Sequence, residues 1–236
     1  MDVISIDEAR ELVANQAFWP LVRDFLWDFA PQIHDSWLEG LSGHEILDAR
    51  REDGSPIVSS LSSSWRIKKF ILDSLGVAPC FHVFPKDDFS RLLLLHGGTL
   101  ESIAKWLGVL AYADALRRVT SGATVRELKA ALPGVYPEVF GYTAYFGKLK
   151  VEKLAVEKVT PQSLMDTGVA CLFSFVSHLS QPLLQRLTLK LPRTLQPGNL
   201  ETSELLNFST SQPLNRQLLL KLLKLRFPEA HSLCCL

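Results

Sequence analysis

The chain has 236 residues, with 25 Lys+Arg against 25 Asp+Glu for a formal net charge of zero, and it is 47% hydrophobic and 21% charged. That balance is ordinary for a packed globular chain. It excludes collagen-like, wholly disordered and disulfide-scaffold classes, and the totals argue against a uniformly basic nucleic-acid binder. The zero hides an asymmetry: residues 1–54 hold 12 acids and 4 bases, residues 55–185 hold 14 bases and 10 acids, and residues 186–236 hold 7 bases and 3 acids. An acidic head and a basic tail either pair within the fold or face two different partners.

The N-terminus, Met1-Asp2-Val3-Ile4-Ser5-Ile6-Asp7-Glu8, is acidic where a secretion signal carries a basic region. No apolar run approaches the roughly 18 residues of a membrane span. The longest, Trp106 to Ala113, stops at Asp114. The cysteines Cys80, Cys171, Cys234 and Cys235 form no framework and read as reduced thiols of a cytoplasmic protein without membrane insertion. Leu233 occupies the place that a prenylated cysteine would need.

In chain order, Ser5 and Glu8 form a capping box ahead of Leu12, Val13 and Ala17. Pro20 opens an aromatic-rich helix with Phe25, Trp27 and Phe29, interrupted at Ala30-Pro31. Residues 40–64 read as a loop, with Asp53-Gly54-Ser55-Pro56 and five serines within 59–64. Ser64 caps a predicted helix carrying Ile67, Phe70, Ile71 and Leu75, ended by Gly76. A short helix from about Asp88 to His96 stops at Gly97-Gly98, and Thr99 caps a helix over roughly 100–120. That helix is apolar nearly all round, which predicts the most buried helix of the core. Its small residues Ala104, Gly108, Ala111 and Ala115 form a stripe suited to a close neighbour.

Thr124 and Glu127 read as a second capping box, and Pro133-Gly134 stops the helix they open. Residues 137–159 read as helical. Thr160-Pro161 starts a helix with Leu164, Gly168, Cys171, Leu172, Phe175 and Leu179 on its buried side. From Arg186 to Leu191 the pattern alternates, which predicts a short strand. Residues 193–212 are a polar loop, and Pro213 opens an amphipathic helix with Leu214, Leu218, Leu222 and Leu225, ended at Phe227-Pro228. The expected fold is mostly α: a single helical domain over 1–236 with at most one small β element.

Catalytic motifs are approached and missed. His96-Gly97-Gly98 resembles a lipase oxyanion loop, but no G-x-S-x-G elbow exists, so the glycines read as a helix stop. Gly141 to Gly147-Lys148 has five intervening residues instead of four, and Leu149 stands where a phosphate loop needs Ser or Thr. Cys80, His82 and His96 lack the paired spacing of a zinc site, and Gly43-His44-Glu45-Ile46-Leu47-Asp48 lacks a second histidine. The expectation is no catalytic residue, no metal and no cofactor. Asp24, Asp28 and Asp35 are acids on a helical stretch, read as a solvated face. Trp19, Trp27, Trp65 and Trp106 read as core, and Trp37 as an interface anchor. The basic C-terminal helix reads as a protein-docking helix or part of the core; use of it on a membrane or nucleic acid is the alternative, as is an α-class enzyme.

Three stretches together resemble the SctK family, the small cytosolic adaptors of the type III secretion sorting platform. Family members show Phe-Asn-x-x-Pro-Ala leading into His-Pro-Ser-Trp-Leu. Here Phe25, Ala30, His34, Ser36, Trp37 and Leu38 match, while Leu26 replaces the Asn and Phe29 and Asp35 replace the prolines. The stretch Leu92 to Leu132 is similar to the family's long apolar helix, arginine pair and following helix, through Trp106-Leu107-Gly108, Leu116-Arg117-Arg118-Val119 and Val125-Arg126-Glu127-Leu128. Arg186-Leu187-Thr188-Leu189-Lys190-Leu191-Pro192 resembles the family's Arg-Leu-x-Leu-x-Leu-Pro, followed by a Pro-led Leu/Lys helix and a closing Phe-Pro. The loops at 40–64 and 193–212 match nothing in the pattern, and His96-Gly97-Gly98 departs from it.

The resemblance implies a non-enzymatic cytoplasmic adaptor, peripheral at the inner-membrane base of the machine. It would link the cytosolic domain of the inner-membrane ring protein to the C-ring-like pod protein, in a complex that also holds the ATPase stator. It implies no nucleic acid partner. On this reading Asp24, Asp28 and Trp37, in the acidic head, are the candidate protein-partner residues.

Overall fold

A computed structural model describes residues 18–39, 41, 64–78, 84, 89–146, 159–195 and 212–234. These contain eleven α-helices and no strand. They are α1 (Phe18–Leu26), α2 (Asp35–Leu38), α3 (Trp65–Ser74), α4 (Gly97–Ala111), α5 (Ala113–Leu116), α6 (Gly122–Ala131), α7 (Val139–Phe146), α8 (Pro161–Val176), α9 (Gln181–Lys190), α10 (Gln212–Arg226) and α11 (Pro228–Cys234). Two 3₁₀ turns, Ala30–Gln32 and Ser90–Leu94, complete the set. The chain divides into two compact units, Met1–Gly97 with Leu179–Thr194, and Gly98–His178 with Leu195–Leu236. The expected helix at Ser5–Ala17 and most of the loops at 40–64 and 193–212 lie outside the described residues.

In the first unit α1 turns Phe18, Val22, Phe25 and Leu26 inward, the i, i+4, i+7, i+8 spacing of one helical face. Phe25 and Phe29 are fully buried and meet edge to face at 5.7 Å. Phe84 adds a third ring 6.1 Å from Phe25. Against this aromatic core lies α9, where the sequence predicts a strand. The alternation of Leu187, Leu189 and Leu191 with polar residues is misleading, because Arg186 and Lys190 are themselves buried and bring the pattern back to i, i+4. Pro182 in the first turn suits a helix start, and Thr188 Oγ1 donates 3.0 Å to the Leu184 carbonyl one turn back, a bond only a helix allows.

α3 ends as expected at Gly76, whose φ of 63° is left-handed. Gly76 N–H donates to the Asp73 carbonyl and Val77 N–H to the Leu72 carbonyl, which closes a Schellman motif. The short helix expected over Asp88–His96 is the 3₁₀ turn at Ser90–Leu94. Gly97 and Gly98 do not stop a helix; they form the first turn of α4, two residues ahead of the predicted Thr99 cap. Glycine at 97 answers to a tertiary contact, since a Cβ there would collide with the Lys190 carbonyl oxygen.

The second unit is built on a close crossing of α4 and α8. A Cβ on Gly108 would fall inside the contact distance of the Leu164 carbonyl, and one on Gly168 would do the same to the Ala104 carbonyl. The two glycines therefore face one another's helices with backbone against backbone. Ala104 and Gly108 fulfil the small-residue expectation; Ala115 is buried, whereas Ala111 is only half-buried. The long helix expected to about residue 120 breaks at Tyr112, and α5 carries it on to Leu116.

Thr124 is not the cap of α6. Ser121 holds that position and accepts a 3.5 Å bond from Thr124 N–H. At α8, Thr160 and Ser163 form a reciprocal capping box behind Pro161, and residues from Leu164 to Val176 are buried nearly all round. α10 ends at Arg226, ahead of Phe227-Pro228 as expected, but it is not the last helix: Pro228 starts α11, which buries Ala230 and Cys234.

Candidate partner-docking site

The three candidate residues all lie in the first unit. Asp24 and Asp28 sit one turn apart, with Asp28 N–H donating 3.1 Å to the Asp24 carbonyl. Neither carboxylate is alone. Arg23 places Nη2 at 2.8 Å and Nε at 3.0 Å from Asp24 Oδ1, and Lys68 Nζ lies 2.7 Å from Asp28 Oδ1 and 2.8 Å from Oδ2. The first pair is largely exposed and contributes little to stability; the second ties α3 to the end of α1.

Trp37 is half-buried on α2 and spends its indole N–H on the Leu191 carbonyl at 2.8 Å, with the Arg193 guanidinium 5.7 Å above its ring. His34 caps α2, its Nδ1 accepting from Ser36 N–H, and Ser36 Oγ accepts 2.8 Å from Arg193 N–H. Trp37 thus fastens α2 to the exit of α9.

The expected tryptophan core is only partly present. Trp106 is 5% exposed, but Trp19, Trp27 and Trp65 are 42%, 59% and 67% exposed, with Leu21 and Phe70 also open to solvent. The inward register of α1 explains the first two, because Phe18, Val22, Phe25 and Leu26 take the buried face and Trp19 and Trp27 fall on the other. Their rings meet edge to face at 5.9 Å. This face therefore sets exposed tryptophans beside paired charges.

Sequence reasoning missed the polar core of this unit. Arg186 and Lys190, one turn apart on α9, are 2% and 1% exposed. Arg186 donates to the carbonyls of Phe25 at 3.0 Å and Ala78 at 3.3 Å, and its guanidinium stands 5.0 Å over Phe29. Lys190 Nζ donates to the carbonyls of Leu93 at 2.6 Å and Leu95 at 2.9 Å, 4.9 Å from the Phe25 ring centre. The two cations satisfy carbonyls that α1 and the 3₁₀ turn leave open at their C-terminal ends. Burial pushes the Lys190 amine down to about 7. The signal was an Arg and a Lys four apart, Arg186 followed by Leu187 and Lys190 set between Leu189 and Leu191. Enclosed this deeply, the amine serves the fold.

In the second unit, Arg226 pairs with Glu138 and stands 4.8 Å from the Trp106 ring and 4.7 Å from that of Tyr142. α10 buries Leu218, Leu219, Leu222 and Leu223 and exposes Lys221 and Lys224, so the basic helix is part of the core with a basic outer edge. Leu225, expected on the apolar face, is 51% exposed. The Cys171 thiol, fully buried on α8, is pushed up to about 12 by desolvation and is inert as a nucleophile.

Cys80, His82, Gly147 and Lys148 lie outside the described residues, and Gly141 lies within α7. Among the described residues no group of three or more His, Cys, Asp or Glu could hold a metal, and no helix is long and apolar enough to cross a membrane.

These features define a mostly helical protein whose described surface carries exposed aromatic and ionic groups. Residues 30–136 match the model of the family described as YOP proteins translocation protein K (YscK), a stretch just under half of the chain. The match shows the resemblance to the SctK family of type III secretion and implies involvement in that process. It takes in the first two motif stretches from Ala30 onward, while Arg186–Pro192 lies beyond it. No curated protein matches the chain, and no solved structure does.

Proposed function

We propose that the chain is a non-enzymatic adaptor of the type III secretion sorting platform. It would work as one domain on the cytoplasmic face at the inner-membrane base, linking the cytosolic domain of the inner-membrane ring protein to the C-ring-like pod protein. The family match over residues 30–136 carries this reading. The exposed aromatics of α1 and α3 support it, since Trp is enriched where protein surfaces bind tightly. Asp24, Asp28 and Trp37 belong to this docking region. Their internal partners mean that Asp24 and Asp28 would act through the Arg23 and Lys68 pairs, and Trp37 through the shape of α2.

The test is affinity capture of the tagged full-length chain, with and without cross-linking, from cells that carry the secretion machine. Recovery of the ring-protein domain and the pod protein is the expected result. Recovery of neither, or steeply salt-dependent binding to DNA or anionic vesicles in their place, overturns the proposal. A single cooperative unfolding transition is expected of one domain, and two separate transitions would refute that part.

A further inference from the structure

α1 buries four of its nine residues and α9 five of its ten, but α3 buries only Ile71 out of ten. A helix of this length is marginal on its own in water and is normally held by an apolar face. Here the anchoring comes from Ile71, the Lys68–Asp28 pair, and Gln185 Nε2 donating 3.0 Å to the Gly76 carbonyl at the helix end. The outward face carries Trp65, Arg66, Lys69 and Phe70, all exposed, with Trp65/Lys69 and Arg66/Phe70 each one turn apart. The Arg66 guanidinium stands 5.8 Å from the Trp65 ring. Lys68 is already paired, and Asp73 is the only acid on the helix. What remains outward is two aromatic rings interleaved with two cations, with the exposed Asp73 one turn beyond Lys69 leaving the face net positive by one charge.

We propose that this face of α3 docks an acidic segment of a partner protein, the rings entering an apolar groove and Arg66 and Lys69 meeting carboxylates around it; the proposal rests on the adaptor reading. Charge complementarity selects the partner, and the planar guanidinium of Arg66 suits carboxylate in particular. A protein fits better than a lipid surface. An interfacial helix buries a broad apolar face, whereas here Ile71 points into the core and the outward rings alternate with charge.

The experiment uses the full-length chain with a photo-cross-linking phenylalanine analogue at position 65, in cells carrying the secretion machine. The expected product is a cross-link to an Asp/Glu-rich segment of another protein. Arg66→Glu/Lys69→Glu should slow association with that protein, and Trp65→Ala/Phe70→Ala should shorten the life of the complex, each on the order of tenfold. Because the side chains are exposed, both variants should unfold at the wild-type temperature. No cross-link, a cross-link to a basic or neutral segment, or unchanged binding by both variants overturns the proposal. So does wild-type binding to phosphatidylcholine–phosphatidylglycerol vesicles that Arg66→Glu/Lys69→Glu abolishes. If both variants join the machine at wild-type rates and lifetimes, the α3 proposal falls and the adaptor reading stands. If the acidic partner belongs to no secretion machine, the reverse holds.

Discussion

Replacing Gly108 by Ala separates two effects that usually travel together. In a helix interior Gly→Ala gains about 0.5–1 kcal/mol, because alanine loses less backbone freedom on folding. Gly141 in α7 has nothing within 4 Å of its missing Cβ, so Gly141→Ala should show that gain unopposed. At Gly108 the added methyl meets the Leu164 carbonyl oxygen, a backbone atom of α8 that no rotamer change can move. The helices must separate, and contacts around the fully buried Leu100, Ile103, Leu107 and Leu164 loosen with them. Overpacking of this kind costs about 1–3 kcal/mol. The upper part of that range applies to a backbone clash, so the net loss is about 2 kcal/mol, and more for Gly108→Leu. Gly168→Ala meets the Ala104 carbonyl in the same crossing. The double variant should therefore lose less than the sum of the singles, since one separation relieves both clashes. Urea midpoints of the wild type, Gly108→Ala, Gly168→Ala, their double variant and Gly141→Ala measure this. A stabilised Gly108→Ala, or strict additivity with Gly168→Ala, would refute a backbone-to-backbone crossing.

Lys190 gives a pH signature. Its folded value of about 7 lies below the ordinary 10.5, so between those values the unfolded chain holds a proton that the folded chain has released. Stability should then rise with pH across that window, by up to about 1.4 kcal/mol per unit. Denaturation midpoints across pH 7–9 should lose that rise in Lys190→Met, which also leaves the Leu93 and Leu95 carbonyls without their donor. Thr160→Ala removes the reciprocal cap of α8 and should cost about 1 kcal/mol in urea denaturation. Arg226→Ala strips a cation from beside the paired rings of Trp106 and Tyr142. It should cost about 1 kcal/mol and change the near-ultraviolet circular dichroism of the aromatic pair.

The readings that succeeded rest on local rules. Gly76 behaves as a helix stop because its left-handed φ suits glycine, and Thr160-Pro161 starts α8 because the cap and the proline act within one turn. The stripe at Ala104 and Gly108 was legible because small residues one turn apart have few other uses. The failures are tertiary. Nothing in the neighbours of Lys190 and Arg186 reveals that carbonyls nearly a hundred or more residues away receive them, and without that burial the leucine alternation of α9 reads as a strand. Trp65 and Trp27 were read as core because aromatic rings usually are. Which face of a short amphipathic helix turns inward is decided by what it meets, and α1 met Phe29 and Phe84 through its phenylalanines.

The bond from Arg186 to the Phe25 carbonyl spans 161 positions of chain. Ribosomes add about 5–20 residues per second, so Phe25 is made roughly 10–30 s before the side chain that covers it. During that interval Phe25 and Phe29 have neither α9 above them nor a donor for the carbonyls at their helix ends. The packing of these rings against α9 must wait for translation to pass Lys190. Slow codons before residue 180 would lengthen the exposure, and a holding chaperone would find its target there.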